Sequence, residues 1–184
     1  FRDPNGGSQD RYKLIDREHR AQYRGQTFTG SENVERLVAD LRGQGFTDAQ
    51  IFGTEARIGR FLSAAVSPDG LHWTKTDEPI LENSEGCGYV HYDDFLEKYV
   101  GYIRIALGGR RVIGRAETED FWHWPDPSVV LQPDSQFPPT VDFYNSVYVP
   151  YPGDGYRLEA GAIDRHGRFP LMFPSVYHRE TDSV

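Results

Sequence analysis

A motif repeated at a fixed offset, several stretches of alternating β-forming residues closed by turn residues, and one lone stretch of helical spacing together predict an all-β chain. The architecture they predict is an incomplete β-propeller carrying one short helical insertion. The repeat carries most of the weight. Ala65-Val66-Ser67-Pro68-Asp69-Gly70-Leu71-His72-Trp73 aligns without a gap on Ala116-Glu117-Thr118-Glu119-Asp120-Phe121-Trp122-His123-Trp124, giving Ala-x-Ser/Thr-x-Asp-x-x-x-Trp at an offset of 51 residues. Each copy is followed by a proline and an apolar pair, Ile80-Leu81 and Val130-Leu131. A period of about 40–50 residues with a Trp and a turn Asp is that of a propeller blade, a four-stranded antiparallel sheet.

In chain order, residues 12–15 open with a short strand. Residues 31–42 then break the β pattern: Val34, Leu37, Val38 and Leu41 recur at helical spacing, Ser31 is placed to cap the start, and Gly43 and Gly45 stop the run. This helix belongs to an insertion over about residues 20–58, expected to cover a sheet edge or shape a pocket rim. The strand at 61–66 runs into the turn Pro68-Asp69-Gly70. There Asp69, like Asp120 in the second copy, is expected to accept backbone N–H groups as Asx turns do, a structural role. Trp73 and Trp124 are expected to open the next strand and pack between sheets. Residues 98–105, 111–117, 142–149 and 171–177 supply further strands, with turns at Asp93-Asp94 and Asp154-Gly155. Gly108-Gly109-Arg110-Arg111 is a hairpin tip, expected to be a solvated turn, with pairing to acidic sugars as the alternative.

Composition removes several classes of function. The chain has 184 residues with 28 acidic against 20 basic side chains, a net charge of −8, which opposes general nucleic-acid binding. No apolar run approaches the length that spans a membrane. A single cysteine, Cys87, rules out an internal disulfide framework and a cysteine-based zinc site. His72, His91, His123, His166 and His178 share no metal-ligand spacing, and no phosphate-loop pattern occurs, so no metal and no cofactor are expected.

The length suits one domain, residues 1–184. Set against the repeat, it holds fewer than three full periods once the insertion is removed, whereas a closed propeller takes at least four blades. The expectation is therefore an interior portion of a larger propeller, covering parts of about three blades. Its open blade edges would invite self-association.

The Ser/Thr-x-Asp-x-x-x-Trp motifs resemble those of the five-bladed β-propeller glycosidases, the superfamily of glycoside hydrolase families 32, 43, 62 and 68. Tyr99-Val100-Gly101-Tyr102-Ile103-Arg104, Asp142-Phe143-Tyr144-Asn145 and Leu171-Met172-Phe173-Pro174-Ser175-Val176-Tyr177-His178 look like family 32-type proteins. The resemblance implies that three carboxylates from three blades meet at a central channel, one protonated while its partner is ionised. Phe1-Arg2-Asp3-Pro4 looks like the family's Arg-Asp-Pro motif, which maps Asp3 to the transition-state stabiliser and Arg2 to the substrate. Glu85-Gly86-Cys87 loosely resembles the segment carrying the general acid, which maps that role to Glu85. Asp142 opens the following blade, with Tyr144 and Asn145 beside it as a stacking face and an amide for a sugar. The alternatives are a loop Asp before a turn for Asp3, an exposed loop Glu for Glu85 and a strand-opening Asp for Asp142. The family nucleophile belongs one blade before Asp3. The function implied is action on a glycosidic bond by paired carboxylates, with a carbohydrate as partner and neither nucleic acid nor membrane. The rival reading is a non-catalytic carbohydrate-binding or scaffold propeller.

Overall fold

The computed structural model describes residues 1–52, 57–82, 84, 88–152 and 168–182. About half of these lie in strands, and every strand pairing is antiparallel. The chain forms two compact units, Phe1–Gly86 and Cys87–Val184.

In the first unit a four-stranded sheet has the order β2-β1-β3-β4, built from β1 (Tyr12–Tyr23), β2 (Gln26–Thr29), β3 (Arg57–Ser67) and β4 (Thr74–Lys75). The strand predicted over 12–15 is thus twelve residues long. The reason lies in the side chains. Lys13 is buried on one face of this strand and Glu18 and Arg20 on the other, so its buried positions are largely charged and leave little hydrophobic alternation. Each buried charge has a partner: Lys13 pairs with Asp3, Glu18 with Ser63 and Lys75, Arg20 with Glu78.

The helix forms where its spacing predicts. α1 (Ser31–Gly43) buries Val34, Leu37, Val38 and Leu41. These pack with Ala21 and Ile51 into one core cluster, flanked by Tyr23, Phe28, Phe46 and Ile58. The cap differs from expectation. Gly30 holds the N-cap position at φ 85° and no side chain caps the helix, so Ser31 is its first residue. Glycine tolerates that left-handed approach, which a Cβ would strain. A single-turn segment, α2 (Asp48–Gln50), follows with a capping box between Thr47 and Gln50.

The second unit contains a meander of β5 (Gly88–Asp93), β6 (Lys98–Leu107), β7 (Arg110–Thr118) and β8 (Ser128–Leu131), and a separate pair of β9 (Val141–Pro152) and β10 (Arg168–His178). Gly108 and Gly109 (φ 57° and 76°) make the two-residue turn between β6 and β7. Its core gathers Val100, Tyr102, Ile113, Phe143 and Tyr148. On β9 the register with β10 slips by one residue, Asn145 and Phe143 facing the consecutive Ser175 and Val176, so Tyr144 is the extra residue of a bulge. The predicted Asp154-Gly155 turn lies outside the described residues.

The two four-stranded sheets share an internal register. In the first, Arg2, Tyr12 and Ser67 form one cross-strand row. In the second, Tyr92, Tyr99 and Thr118 form the corresponding row. The first motif copy thus turns from β3 into β4 and the second from β7 into β8, each starting from the same row.

Candidate functional site

The repeated turns come first, because two independent copies report what the motif does. Ser67 Oγ accepts from the N–H groups of Asp69 (3.3 Å) and Gly70 (2.8 Å), and Asp69 Oδ1 accepts from those of Leu71 and His72, both at 2.8 Å. Thr118 Oγ1 accepts from Asp120 N–H at 3.1 Å, and Asp120 Oδ1 from Trp122 N–H at 3.0 Å. Both aspartates are therefore turn-formers, as expected. The tryptophans behave differently from expectation. Each donates its indole N–H to the carbonyl three residues back, Trp73 to Gly70 and Trp124 to Phe121, and so closes its own turn. Trp73 stays 40% exposed, while Trp124 lies against Gly101 of its own sheet.

One feature common to both turns has a simple signal in the sequence. His72 and His123 stand at the same offset as the rest of the motif, which lengthens it to Ser/Thr-x-Asp-x-x-His-Trp. His72 Nδ1 lies 2.7 Å from Asp69 Oδ2, and His123 Nδ1 contacts Asp120 Oδ2. Donation from the His72 backbone N–H, then from its side chain, holds the Asp69 carboxyl well below the ordinary carboxylate range. The hydrogen bond to Asp69 raises the His72 imidazole in turn.

Of the residues expected to carry chemistry, Asp3 ends the short segment that bridges to β1. Its side chain is fully buried; Oδ2 pairs with Lys13 and Oδ1 accepts from Asn5 N–H at 3.0 Å. Lys13 is also 3.4 Å from Asp10. By register, Asp93 is the residue of the second sheet that stands where Asp3 stands: it too follows the shared row, is buried, and accepts from the turn N–H groups of Phe95 and Leu96 at 3.0 and 3.1 Å. Arg2 is exposed. Glu85 lies outside the described residues.

Asp142, the second residue of β9, sits opposite Tyr177 of β10. Its side chain is 2% exposed and faces three arginines: Arg111 Nη1 at 3.2 Å, Arg179 Nε at 3.6 Å and Arg110 Nε at 4.0 Å. Arg110 also donates to the carbonyls of Pro138 and Val141, and Arg179 to those of Gly109 and Pro139. The tip expected to be a solvated turn therefore ends in two cations bound to a buried carboxylate. Arg110 and Asp142 are separated by 32 positions, and nothing local in the sequence links them.

Tyr144 and Asn145, the predicted sugar contacts, adjoin this cluster. The Tyr144 ring stacks on Tyr177 with centroids 5.4 Å apart and an interplanar angle of 30°. The guanidinium of Arg104 lies 4.3 Å from the Tyr144 centroid, and that of Arg111 lies 4.6 Å from the Tyr177 centroid. Arg104 also donates to the Tyr144 carbonyl at 3.2 Å. Asn145 uses its carbonyl to accept from Ser146 N–H at 2.8 Å, which leaves its amide NH2 as a donor. Bonding to Asp182 raises the Tyr177 hydroxyl above the usual phenol range.

The structure thus brings Asp142, Tyr144 and Asn145 together with Arg110 and Arg111 of the predicted hairpin tip, and adds Arg104 and Arg179, to which sequence reasoning assigned no role. Asp3 and Arg2 belong to the other compact unit. No family model, no curated protein and no solved structure matches this chain.

Proposed function

We propose that the chain supplies successive blades of a carbohydrate-active β-propeller of glycosidase type, acting on a glycosidic bond through carboxylates at the inner strands. The observation that carries this reading is the common register of the two four-stranded sheets, with the Ser/Thr-x-Asp-x-x-His-Trp turn at the same place in each. The shared part is β1-β3-β4 with β6-β7-β8, the Arg2–Tyr12 bridge standing in the place of β5, and repetition of an antiparallel sheet unit is how propellers are built. Beside the third set of strands, Asp142 with Tyr144 and Asn145 combines a carboxylate, a flat ring and an amide, the groups that sugar recognition uses.

In this reading Asp3, paired with Lys13, and Asp142, facing the arginines, are two of the carboxylates. Asp3 suits stabilisation of positive charge at a sugar carbon, Asp142 holds groups that line the sugar, and Glu85 is left as the acid that protonates the leaving oxygen. Release of reducing ends from an oligosaccharide panel by the whole protein tests it. Glu85→Gln lowers the rate by about a hundredfold or more if Glu85 is the acid, and a loss below about tenfold removes that role.

A second reading is favoured by one specific observation. The carboxyl groups of Asp3 and Asp142 are closed off from solvent, with side-chain exposures of 0% and 2%. A non-catalytic carbohydrate-binding propeller needs no accessible carboxylate. It would bind oligosaccharides in titration calorimetry while releasing no reducing ends.

A further inference from the structure

We propose that the arginine cluster at Asp142 recognises an anionic sugar, a uronate whose carboxylate docks on Arg111 and Arg179 with its ring beside the Tyr144–Tyr177 pair. The inference rests on the carbohydrate reading above and adds the class of sugar.

Charge is the first ground. One carboxylate, Asp142, stands against Arg110, Arg111 and Arg179 at 4.0, 3.2 and 3.6 Å. Arg104 adds a fourth guanidinium over the Tyr144 ring. Guanidinium groups stay charged at every working pH, so Asp142 leaves a local surplus of positive charge in a chain whose net charge is −8. Nearby, Asp182 is engaged by the Tyr177 hydroxyl, and Glu180 on the same turn is exposed.

Accessibility is the second. Asp142 is 2% exposed, whereas the side chains of Arg110, Arg111 and Arg179 are 25%, 28% and 40% exposed. The buried carboxylate fixes the guanidinium groups from below and leaves them open to a ligand. Asp142 is then a positioning residue that acts through the arginines. Arg179 also holds the carbonyls of Gly109 and Pro139, and a guanidinium carries five N–H donors, so donors remain for a ligand carboxylate.

Shape is the third. The stacked Tyr144–Tyr177 pair is half-buried, with Arg104 4.3 Å from the Tyr144 centroid and Arg111 4.6 Å from that of Tyr177, and its uncovered part sets aromatic surface beside the charge. A free inorganic anion has no use for that surface, while a pyranose ring does.

Calorimetric titration of the chain with an oligogalacturonate and with its methyl ester separates charge from backbone. The free acid is expected to bind about tenfold tighter or more, with the preference shrinking as salt rises from about 20 to about 200 mM. Arg179→Ala is expected to abolish the preference and Arg179→Lys to restore part of it, with circular dichroism verifying the fold. If Arg179→Ala does not fold, Arg111→Gln serves the same purpose. Equal affinity for acid and ester overturns the uronate site and leaves the carbohydrate reading standing. Binding of neither sugar overturns the uronate site, and the oligosaccharide panel then decides the carbohydrate reading.

Discussion

A carboxylate tolerates burial only beside a cation or several hydrogen-bond donors, and Asp3, Asp142 and Asp69 meet that demand in different ways. Asp3 pairs with the buried Lys13 ten residues away, Asp142 draws in three arginines from distant strands, and Asp69 stays near the surface with the N–H groups of its own turn. The Asp69–His72 pair makes a pH prediction. Asp69 is depressed from 3.8, so its share of the turn's stability is present above that value and lost as pH falls through its lower folded value. His72 is raised from 6.5, so its share is present below that value and lost as pH rises through its higher folded value. Both shares coexist between 3.8 and 6.5. In an NMR titration the His72 ring protons should show a midpoint above 6.5, moving back towards it in Asp69→Asn. A native midpoint at or below 6.5 contradicts the pairing.

At the scale of elements, the two four-stranded sheets repeat one design with different decoration. The first carries the helical insertion between β1 and β3; its counterpart in the second is the two-residue turn between β6 and β7. Because the insertion supplies its own core around Leu41 and Ile51, it leaves the β1–β3 register unbroken from Tyr12–Ser67 to Gln22–Arg57. The second sheet instead uses glycine to admit bulky neighbours. A Cβ on Gly101 would lie 2.9 Å from Trp124 and 3.1 Å from Ile103, so this strand position is kept bare for the motif tryptophan. Gly101→Ala is expected to lower stability by about 1–3 kcal/mol through that overlap. Urea unfolding followed by Trp fluorescence measures it, and an unchanged midpoint would show that Trp124 does not press on the strand.

At the scale of the whole molecule, open strand edges matter most. Among the described residues β9 and β10 pair only with each other, and they are twelve and eleven residues long. Edge strands β4 and β8 are short, two and four residues, a form that offers little template for pairing. Association of the isolated chain is therefore expected through the β9–β10 pair. Sedimentation velocity over a hundredfold range of concentration should show a weight-average mass that rises with concentration. Lysine at Val147 or Phe173, both exposed on these strands, should suppress the rise. A monomer across the whole range would mean that these edges are shielded.

The sequence by itself determined the antiparallel β character, the helix at 31–43 with its four buried apolar residues, and the two aspartate turns. Each of these is written in local spacing: a helical period, a β alternation, or an Asp two residues before the N–H it accepts. The histidines of the turn were legible in the same way, by their shared offset. Tertiary structure decided the rest. The length of β1 was hidden because the buried positions on its two faces include Lys13, Glu18 and Arg20, whose burial depends on partners elsewhere in the chain. The arginine cluster was hidden for the same reason, since Arg104, Arg110, Arg111 and Arg179 converge on Asp142 and Tyr144 only after β6, β7, β9 and β10 have come together. Apolar spacing is local and survives in one dimension, whereas the pairing of buried charges is a property of chain segments that meet only in three.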